Sequence, residues 1–303
     1  MRESTQVVGA VGLGVVAVSS AATVVLLAAP LPSLWIAAGR VLVTALVLLL
    51  LGAGELRTWF RTAREKPRLV WTTAAAGALL ALHFGAWIAS LGLTTVLRST
   101  ALVALQPVFA GLLGRVLGDR VSPWLYAGAG VCLGGTWLMA SGAGPGHGGS
   151  LTGDALALLG GGAAAAYLAV GRSVREAVPL RAYLGSVHLV AGLSLLACAR
   201  GFAWPLPASL STQMVAAVIY LGLIPGVVGH GLFNWVVRRV PVDRVAVAML
   251  LEPVGASLLA WWVLGQTLTM REAVGAAVVL FGVALGARRA SASRPRARTD
   301  ADA

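Results

Sequence analysis

The sequence predicts an all-helical integral membrane protein with ten transmembrane helices, arranged as two five-helix repeats of inverted topology. Hydrophobic residues make up 58% of the 303 residues and charged residues only 11%, whereas soluble domains carry about 25% charged residues. The apolar residues form runs of roughly 20, which matches the thickness of a bilayer. Because the bilayer interior cannot hydrogen-bond exposed backbone, such runs must be helices. The ten predicted spans are residues 6–28, 33–53, 69–91, 97–117, 123–142, 153–172, 182–200, 213–236, 242–264 and 272–287.

Similar residues recur at a nearly constant separation along the chain. The segments ALQPV around Gln106 and LLEPV around Glu252 are the clearest match. Other pairs lie 147 or 148 residues apart: Pro32 and Pro179, Arg40 and His188, His83 and His230, Trp87 and Trp235, Gly128 and Gly275. The chain is therefore one unit of about 145 residues used twice. We predict the first repeat at residues 6–142, the second at 153–287, and a basic, disordered cytoplasmic tail at 288–303, with the GPGHGG connector at 144–149 between the repeats.

The basic residues predict the orientation in the membrane. Of the 23 Lys and Arg residues, 19 fall in alternate connections and at the two ends, while Arg98, Arg200 and Arg271 fall in the opposite connections. The positive-inside rule then places both termini in the cytoplasm. An odd number of helices in each repeat turns the second repeat upside down relative to the first, which is an inverted-topology repeat.

Composition also excludes several classes of function. The net charge of +12 is spread over connections between spans, so we expect no nucleic-acid partner. Cys132 and Cys198 lie within predicted spans without CxxC spacing, which favours neither a disulfide nor a metal site. No phosphate-binding GxxxxGK[ST] motif is present, and we expect no cofactor. The abundance of Arg, Ala and Gly is typical of a GC-rich bacterial genome.

Glu252 is the first candidate for a functional residue. It lies roughly 13 Å deep in its span, where an ionised carboxylate costs at least about 2–3 kcal/mol. The neighbouring Pro253 removes a backbone hydrogen bond and is expected to kink the helix. Gln106 and Pro107 form the mirror site, where the amide can orient a solute but cannot carry a proton. A packing role remains open for both polar residues.

Two histidines supply further candidates. His83 and Trp87 are four residues apart, as are His230 and Asn234, so each pair shares a helix face. An imidazole titrates near neutral pH and can donate or accept a hydrogen bond, which suits solute binding or proton relay. The alternative is a buried histidine satisfied by a neighbouring group. No acidic or cysteine residue stands at metal-ligand spacing.

Three more residues complete the candidate cavity. Arg40 lies about 10 Å inside the second span, where its permanent charge must meet a carboxylate, helix carbonyls or a solute anion; snorkelling outward is the alternative. Tyr167 lies deep in its span and is a candidate aromatic wall. Pro225 is a third predicted kink, within span 213–236.

Three segments carry a family resemblance: ALHFGAWIASLGLTTVLRSTALVALQPVFAGLL, GDALALLGGGAAAAYLAVGRSVRE, and GLIPGVVGHGLFNWVVRRVPVDRVAVAMLLEPVGASLLAWWVLG. With the arginine of LWIAAGRVLVTAL, they resemble the EamA-type branch of the drug/metabolite transporter superfamily. The resemblance covers residues 6–287 and implies ten helices in two inverted repeats, a central cavity and alternating access. The sequence departs from that family at Leu264–Gln266, where those proteins often have an LGE turn.

The resemblance and the residues together predict a function. We expect a secondary transporter in the cell membrane that exports a small amino-acid-like or amphipathic solute, with protons as a possible coupling ion. Membrane lipids and a small-molecule solute are the expected partners, and the oligomeric state stays open. The alternative is an integral-membrane enzyme or a lipid flippase acting on a lipid-linked substrate. An enzyme of that kind needs clustered acidic residues, and the 11 Asp and Glu residues are mostly scattered.

Overall fold

A computed structural model describes residues 2–116, 118, 122–141, 149–175, 178–237 and 248–287. The regular elements of these residues are all helical: α1 (Arg2–Leu27), α2 (Ser33–Leu51), α3 (Ala53–Glu65), α4 (Pro67–Leu91), α5 (Val96–Val103), α6 (Gln106–Val116), α7 (Pro123–Ala140), α8 (Leu151–Arg175), α9 (Leu180–Gly201), α10 (Thr212–Leu221), α11 (His230–Val237), α12 (Leu251–Leu264) and α13 (Met270–Ala287). A π-helical segment, Gly222–Gly229, joins α10 to α11. The predicted tail at 288–303 and residues 144–148 of the connector lie outside the described part of the chain.

The prediction of a multi-pass helical membrane protein is confirmed. Seven helical stretches of the described residues are long and apolar enough to cross a bilayer, and Leu251–Leu264 is a shorter apolar helix. Those seven are Gln6–Leu27, Ser33–Leu51, Pro67–Leu91, Val96–Val116, Leu151–Gly171, Leu180–Gly201 and Thr212–Phe233. Helices α7 and α13 are also apolar, at 18 residues each.

Local sequence signals set the helix boundaries. Pro67 and Pro123 open α4 and α7 at a position where the missing backbone N–H has no helical partner to lose. The side chains of Thr95, Ser122 and Ser211 accept hydrogen bonds from the first turns of α5, α7 and α10. These caps satisfy backbone donors that would otherwise be left unpaired at the helix ends.

Two of the predicted spans are interrupted at matching places. The fourth breaks at residues 104–105, between α5 and α6, and Pro107 follows in the first turn of α6. In the ninth, Leu250 separates a helical residue 249 from α12, and Pro253 lies in the first turn of α12. At Pro107 and Pro253 the helix is therefore interrupted about one turn upstream, whereas Pro225 lies inside the π-helical segment. A proline in a first turn lacks the clash that a proline in a helix interior suffers.

Helix α3 was not among the predicted elements. Its polar face carries Arg57, Arg61 and Arg64, whereas Trp59 packs against the main core and Ala63 is buried. A short helix with one basic and one apolar face suits the surface of a membrane rather than its interior. The basic cluster that fixed the predicted orientation is thus a helix between α2 and α4, not an irregular loop.

Pairs of helices from the two repeats pack against each other in opposite directions. In α7 and α13, Gly128 faces Gly282, and Gly135 faces Gly275. A Cβ atom at Gly128 would lie 2.5 Å from the carbonyl oxygen of Gly282, and one at Gly135 would lie 2.7 Å from that of Gly275. Only residues without a side chain allow the two backbones to approach so closely.

Helices α2 and α9 form a second antiparallel pair. Gly52, at the end of α2, faces Arg181 at the start of α9, and Gly192, further along α9, faces Leu42 in the middle of α2. Helix α4 packs on α8 and on α9, and α1 packs on α12. The largest apolar core lies where α1, α2, α4 and α9 meet, and the candidate residues lie on the same helices.

Candidate functional site

Arg40 of α2 is almost completely buried, at 2% exposure. Its Nη1 atom has no hydrogen-bond partner among the described residues. The backbone around it is tightly held, because Thr44 Oγ1 donates to the carbonyl oxygen of Arg40 at 3.0 Å and to that of Gly222 at 2.9 Å. The π-helical segment therefore fixes the position of the arginine but leaves part of its guanidinium unpaired.

Two aromatic rings of α4 lie against this guanidinium. Arg40 Cζ is 4.4 Å from the ring centroid of Phe84 and 5.5 Å from that of Trp87. Contacts of this kind attract a cation to the ring face and are worth about 2 kcal/mol when they are desolvated. Both rings are buried. They offset part of the cost of burying the charge, and they restrict the direction in which the guanidinium points.

His83 is next to the same aromatic wall. Its ring is nearly parallel to that of Trp87, with an interplanar angle of 4° and centroids 6.2 Å apart. Its Nδ1 atom lies 2.9 Å from the carbonyl oxygen of Gly160 in α8. Because a carbonyl oxygen can only accept, Nδ1 is the donor, and Nε2 of the neutral ring is an acceptor. His83 thus links α4 to α8 and keeps one nitrogen for a further partner.

His188, which occupies in the second repeat the position that Arg40 has in the first, lies in α9. His188 Nδ1 donates to the carbonyl oxygen of Leu184 one turn earlier, at 2.8 Å. His230, at the start of α11, has an exposed side chain.

Glu252 of α12 is half-buried. Ser19 Oγ of α1 donates to the backbone carbonyl of Glu252 at 3.3 Å. A Cβ atom at Gly255 would lie 2.5 Å from Ser19 Oγ. Helix α1 therefore packs closely on the first turn of α12 and holds the backbone of Glu252 in place.

The charge of Arg40 acts electrostatically on four other titratable side chains: His83, His188, His230 and Glu252. These five residues, which we call the Arg40 cluster, come from α2, α4, α9, α11 and α12. The two repeats contribute about equally to it. Four members were candidates from the sequence, and His188 was found there only as the mirror of Arg40.

The other candidates are distributed around this cluster. Trp87 is part of its aromatic wall, Tyr167 packs partly buried against the main core, and Pro225 lies inside the π-helical segment. Gln106 opens α6 and is half-buried, and the described interactions do not link it to the Arg40 cluster. The side chain of Asn234 lies outside the described part of the chain.

A second group of charged residues was missed. Arg98, Asp154 and Glu272 are buried together where α5, α8 and α13 begin. Arg98 and Asp154 are lone charges near the start of apolar runs, and Thr269 with Glu272 has the spacing of a capping box. These patterns were usable signals, although Arg98 was assigned from the sequence only to a connection.

The chain matches the family described as the EamA-like transporter family twice, over residues 7–141 and 151–287. A protein of Archaeoglobus fulgidus described as an uncharacterized transporter is 36% identical over 70 residues, which cover 23% of this chain and 26% of that protein. The match thus spans about a quarter of that relative's length. A crystal structure with 18% sequence identity covers 93% of this chain and 96% of its own chain with a TM-score of 0.63, and supports the fold alone.

Proposed function

Because the chain belongs to the EamA-like transporter family, we propose that it is a secondary transporter that moves a small solute across the cell membrane by alternating access, with the solute bound at the Arg40 cluster. The observation that carries this proposal is the buried guanidinium of Arg40, whose Nη1 has no hydrogen-bond partner among the described residues. A solute is the group that would complete its hydrogen bonding.

The energetic argument concerns the cost of a buried charge. Arg remains charged in proteins, and a buried ion without a matched partner loses several kcal/mol of hydration. The rings of Phe84 and Trp87 offset only part of this loss. A carboxylate or a similar anionic group of the solute would accept hydrogen bonds from Nη1. Arg is well suited to this role because its planar donors match a carboxylate.

The other residues of the Arg40 cluster indicate which further chemical groups the solute carries. Glu252, on α12, brings a carboxylate to the cluster, which suits a cationic amino group. The aromatic rings suit an apolar portion. An amino-acid-like or other amphipathic solute, with separated anionic and apolar parts, fits this combination better than a sugar, which offers no charge to Arg40.

We further propose ten membrane crossings in two inverted repeats, at residues 6–142 and 153–287, with both termini in the cytoplasm. The glycine contacts between α7 and α13 support this. Gly128 is related to Gly275, and Gly135 to Gly282, by the same separation of 147 residues. Superposing the first repeat on the second therefore turns the contact between Gly128 and Gly282 into the contact between Gly275 and Gly135. A two-fold axis in the membrane plane requires this relation. Cys132 Sγ, which donates to the carbonyl oxygen of Val279 147 residues later, lies near that axis.

We further propose that the solute is exported, that export is coupled to protons, and that Glu252 is the coupling residue. A carboxyl group can carry a proton, whereas the repeat-related Gln106 cannot. An acidic residue within a membrane-spanning segment is a functional candidate by default. Glu252 also lies in the field of Arg40, so a change in its charge would alter how strongly Arg40 holds an anionic solute.

Flux from vesicles tests the transport proposal. Purified protein in liposomes would be offered a pooled panel of metabolites, with and without a pH gradient, and the solutes that move would be identified by mass spectrometry. We expect net movement of a carboxylate-bearing solute, accelerated by the gradient. Lipid flipping without any solute flux would instead favour the flippase alternative and contradict the proposal.

A further inference from the structure

Arg98 of α5 is completely buried, at 0% exposure, and it is bound on every side. Its Nε donates to Asp154 Oδ1 at 3.0 Å, and its Nη2 forms an ion pair with Asp154 Oδ2. Nη1 donates to the carbonyl oxygen of Met139 at 2.6 Å and lies 3.8 Å from Glu272 Oε1. Unlike Arg40, this arginine is fully satisfied by the protein.

The two carboxylates are also fully engaged. Thr94 Oγ1 donates to Asp154 Oδ1 at 3.1 Å, and Thr95 Oγ1 donates to Glu272 Oε1 at 3.4 Å. The other oxygen of Glu272 accepts from the backbone N and the Oγ1 of Thr269, each at 3.0 Å. We call these six residues the Arg98 network: Arg98, Asp154, Glu272, Thr94, Thr95 and Thr269.

This network joins the first repeat to the second at one end of the helix bundle. Arg98, Thr94 and Thr95 belong to the first repeat, and the carboxylates belong to α8 and α13 of the second. Two further bonds join the repeats at the same end: the backbone N of Ser150 donates to Leu93 O at 3.1 Å, and that of Val96 donates to Gln266 Oε1 at 3.2 Å. The bundle is therefore closed at this end by polar contacts.

Helix α6 meets α8 through apolar residues. Beyond the interruption at residues 104–105, these two helices pack on each other around an apolar cleft of about 280 Å³, lined by Phe109, Leu112, Leu113, Val116, Gly162 and Ala166. Both ion pairs found in the described part of the chain belong to the Arg98 network. Helix α5 is therefore held against α8 by charge, whereas α6 is held by apolar contacts.

The repeat conserves the arginine of the network but not its two carboxylates. In the register of the ALQPV and LLEPV match, which is 146 residues, Arg98 corresponds to Arg244. The positions 147 residues away from Asp154 and Glu272 are Val7 and Leu125, so neither carboxylate has an acidic counterpart in the other repeat.

We propose that the Arg98 network is a gate that closes one end of the solute pathway, and that opening this end separates Arg98 from Asp154 and Glu272. The proposal rests on the transport function proposed above. In a network of charged groups with two discrete arrangements, loss of one partner shifts the equilibrium between the open and closed states. Arg98 acts here on the conformation, not on the solute.

Cysteine accessibility tests the gate without knowledge of the solute. The probe is His230→Cys, placed in a background with Cys132→Ser and Cys198→Ser. Its labelling rate with a membrane-impermeant maleimide is measured separately from each side, in vesicles of the two orientations. In the protein that carries this probe and an intact Arg98 network, we expect labelling only from the side opposite the network.

Arg98→Gln should change the two rates in opposite directions. The rate from the network side should rise about tenfold, and the rate from the opposite side should fall. Arg200→Gln, a change at an exposed arginine stacked on Trp35, is the matched control and should alter neither rate. A clamp with a purely structural role would leave both rates unchanged or raise both, and either result overturns the proposal.

A disulfide provides a second test in case Arg98→Gln fails to fold. Leu93 and Ser150 are joined by a backbone hydrogen bond, so their Cα atoms are close enough for a disulfide between Leu93→Cys and Ser150→Cys. Asp154→Asn, which keeps the shape of the side chain, should open the network side to labelling. Oxidation of the added pair should close it again, and labelling that persists after oxidation contradicts the gate.

The two proposals can fail separately. Reciprocal labelling together with absent solute flux would support the gate and leave the transport proposal contradicted. Solute flux with unchanged labelling in both Arg98→Gln and Asp154→Asn would support the transport proposal and contradict the gate proposal.

Discussion

Arg40 and Phe84 lie in contact in the buried interior, with the guanidinium carbon 4.4 Å from the ring centroid. They come from α2 and α4 and are 44 residues apart along the chain. No pattern in the sequence indicates that the two side chains are in contact. The contact holds a permanent charge in an orientation that leaves Nη1 without a partner in the described part of the chain. The proposed solute site depends on this orientation.

Phe84→Leu should weaken solute binding. The substitution keeps an apolar side chain of similar burial but removes the ring that attracts the guanidinium, a contribution of about 0.5–2 kcal/mol. We therefore expect a higher KM for solute flux, with kcat changed less. Phe60→Leu, on the exposed face of α3, is the matched control. An equal KM for both variants would contradict a role for the ring in presenting Arg40.

Gly128→Ala should destabilise the protein, because a Cβ atom there would lie 2.5 Å from the Gly282 carbonyl oxygen and 2.7 Å from the Gly286 nitrogen. Overpacking of this kind costs about 1–3 kcal/mol. The measurement is the thermal unfolding midpoint in detergent. Gly130→Ala, two residues away with no atom within 4 Å of its added Cβ, should leave the midpoint unchanged or raise it. Equal midpoints for the two variants would show that α7 and α13 are not packed this closely.

Glu252→Gln should uncouple solute flux from the pH gradient. The amide preserves size and hydrogen bonding but cannot exchange a proton, so we expect flux in the variant to be the same with and without a gradient. Glu65→Gln, at an exposed position at the end of α3, should respond to the gradient like the parent protein. A gradient dependence that survives in Glu252→Gln would assign coupling to another residue.

Labelling from the two sides should verify the inverted topology. Glu65→Cys lies at the end of α3, and Leu268→Cys lies between α12 and α13; both positions are exposed. With the native cysteines replaced by serine, an impermeant maleimide should reach residue 65 from the cytoplasmic side and residue 268 from the other side. Labelling of both from one side would overturn the proposed arrangement of ten crossings.

The sequence predicted the helical membrane fold because apolar length and backbone hydrogen bonding in a bilayer allow few alternatives. It also singled out Arg40, His83, His230 and Glu252 as candidates, since polar residues are rare in such spans and each one needs an explanation; their role in solute binding stays a prediction. The contact of Arg40 with Phe84 could not be predicted, because it depends on how α2 and α4 pack and not on either helix alone.

The Arg98 network and α3 were missed for different reasons. Arg98, Asp154 and Glu272 lie 56 and 118 residues apart along the chain, and only the packing of α5, α8 and α13 brings them together. Helix α3 was overlooked because its charged residues were counted for orientation alone. The spacing of Trp59 and Ala63 on one face of that segment was the signal that could have revealed a surface helix.

Substrate preference shows whether Arg40 binds an anionic group of the solute. Flux of the identified solute is compared with flux of its uncharged amide analogue, in the parent protein, Arg40→Gln and the control Arg200→Gln. A hydrogen bond to a charged group contributes about 1.5–3 kcal/mol, so the parent should prefer the carboxylate by about 10- to 100-fold. Arg40→Gln should lose this preference, while Arg200→Gln should keep it. If the preference persists in Arg40→Gln, Arg40 does not bind the anionic group.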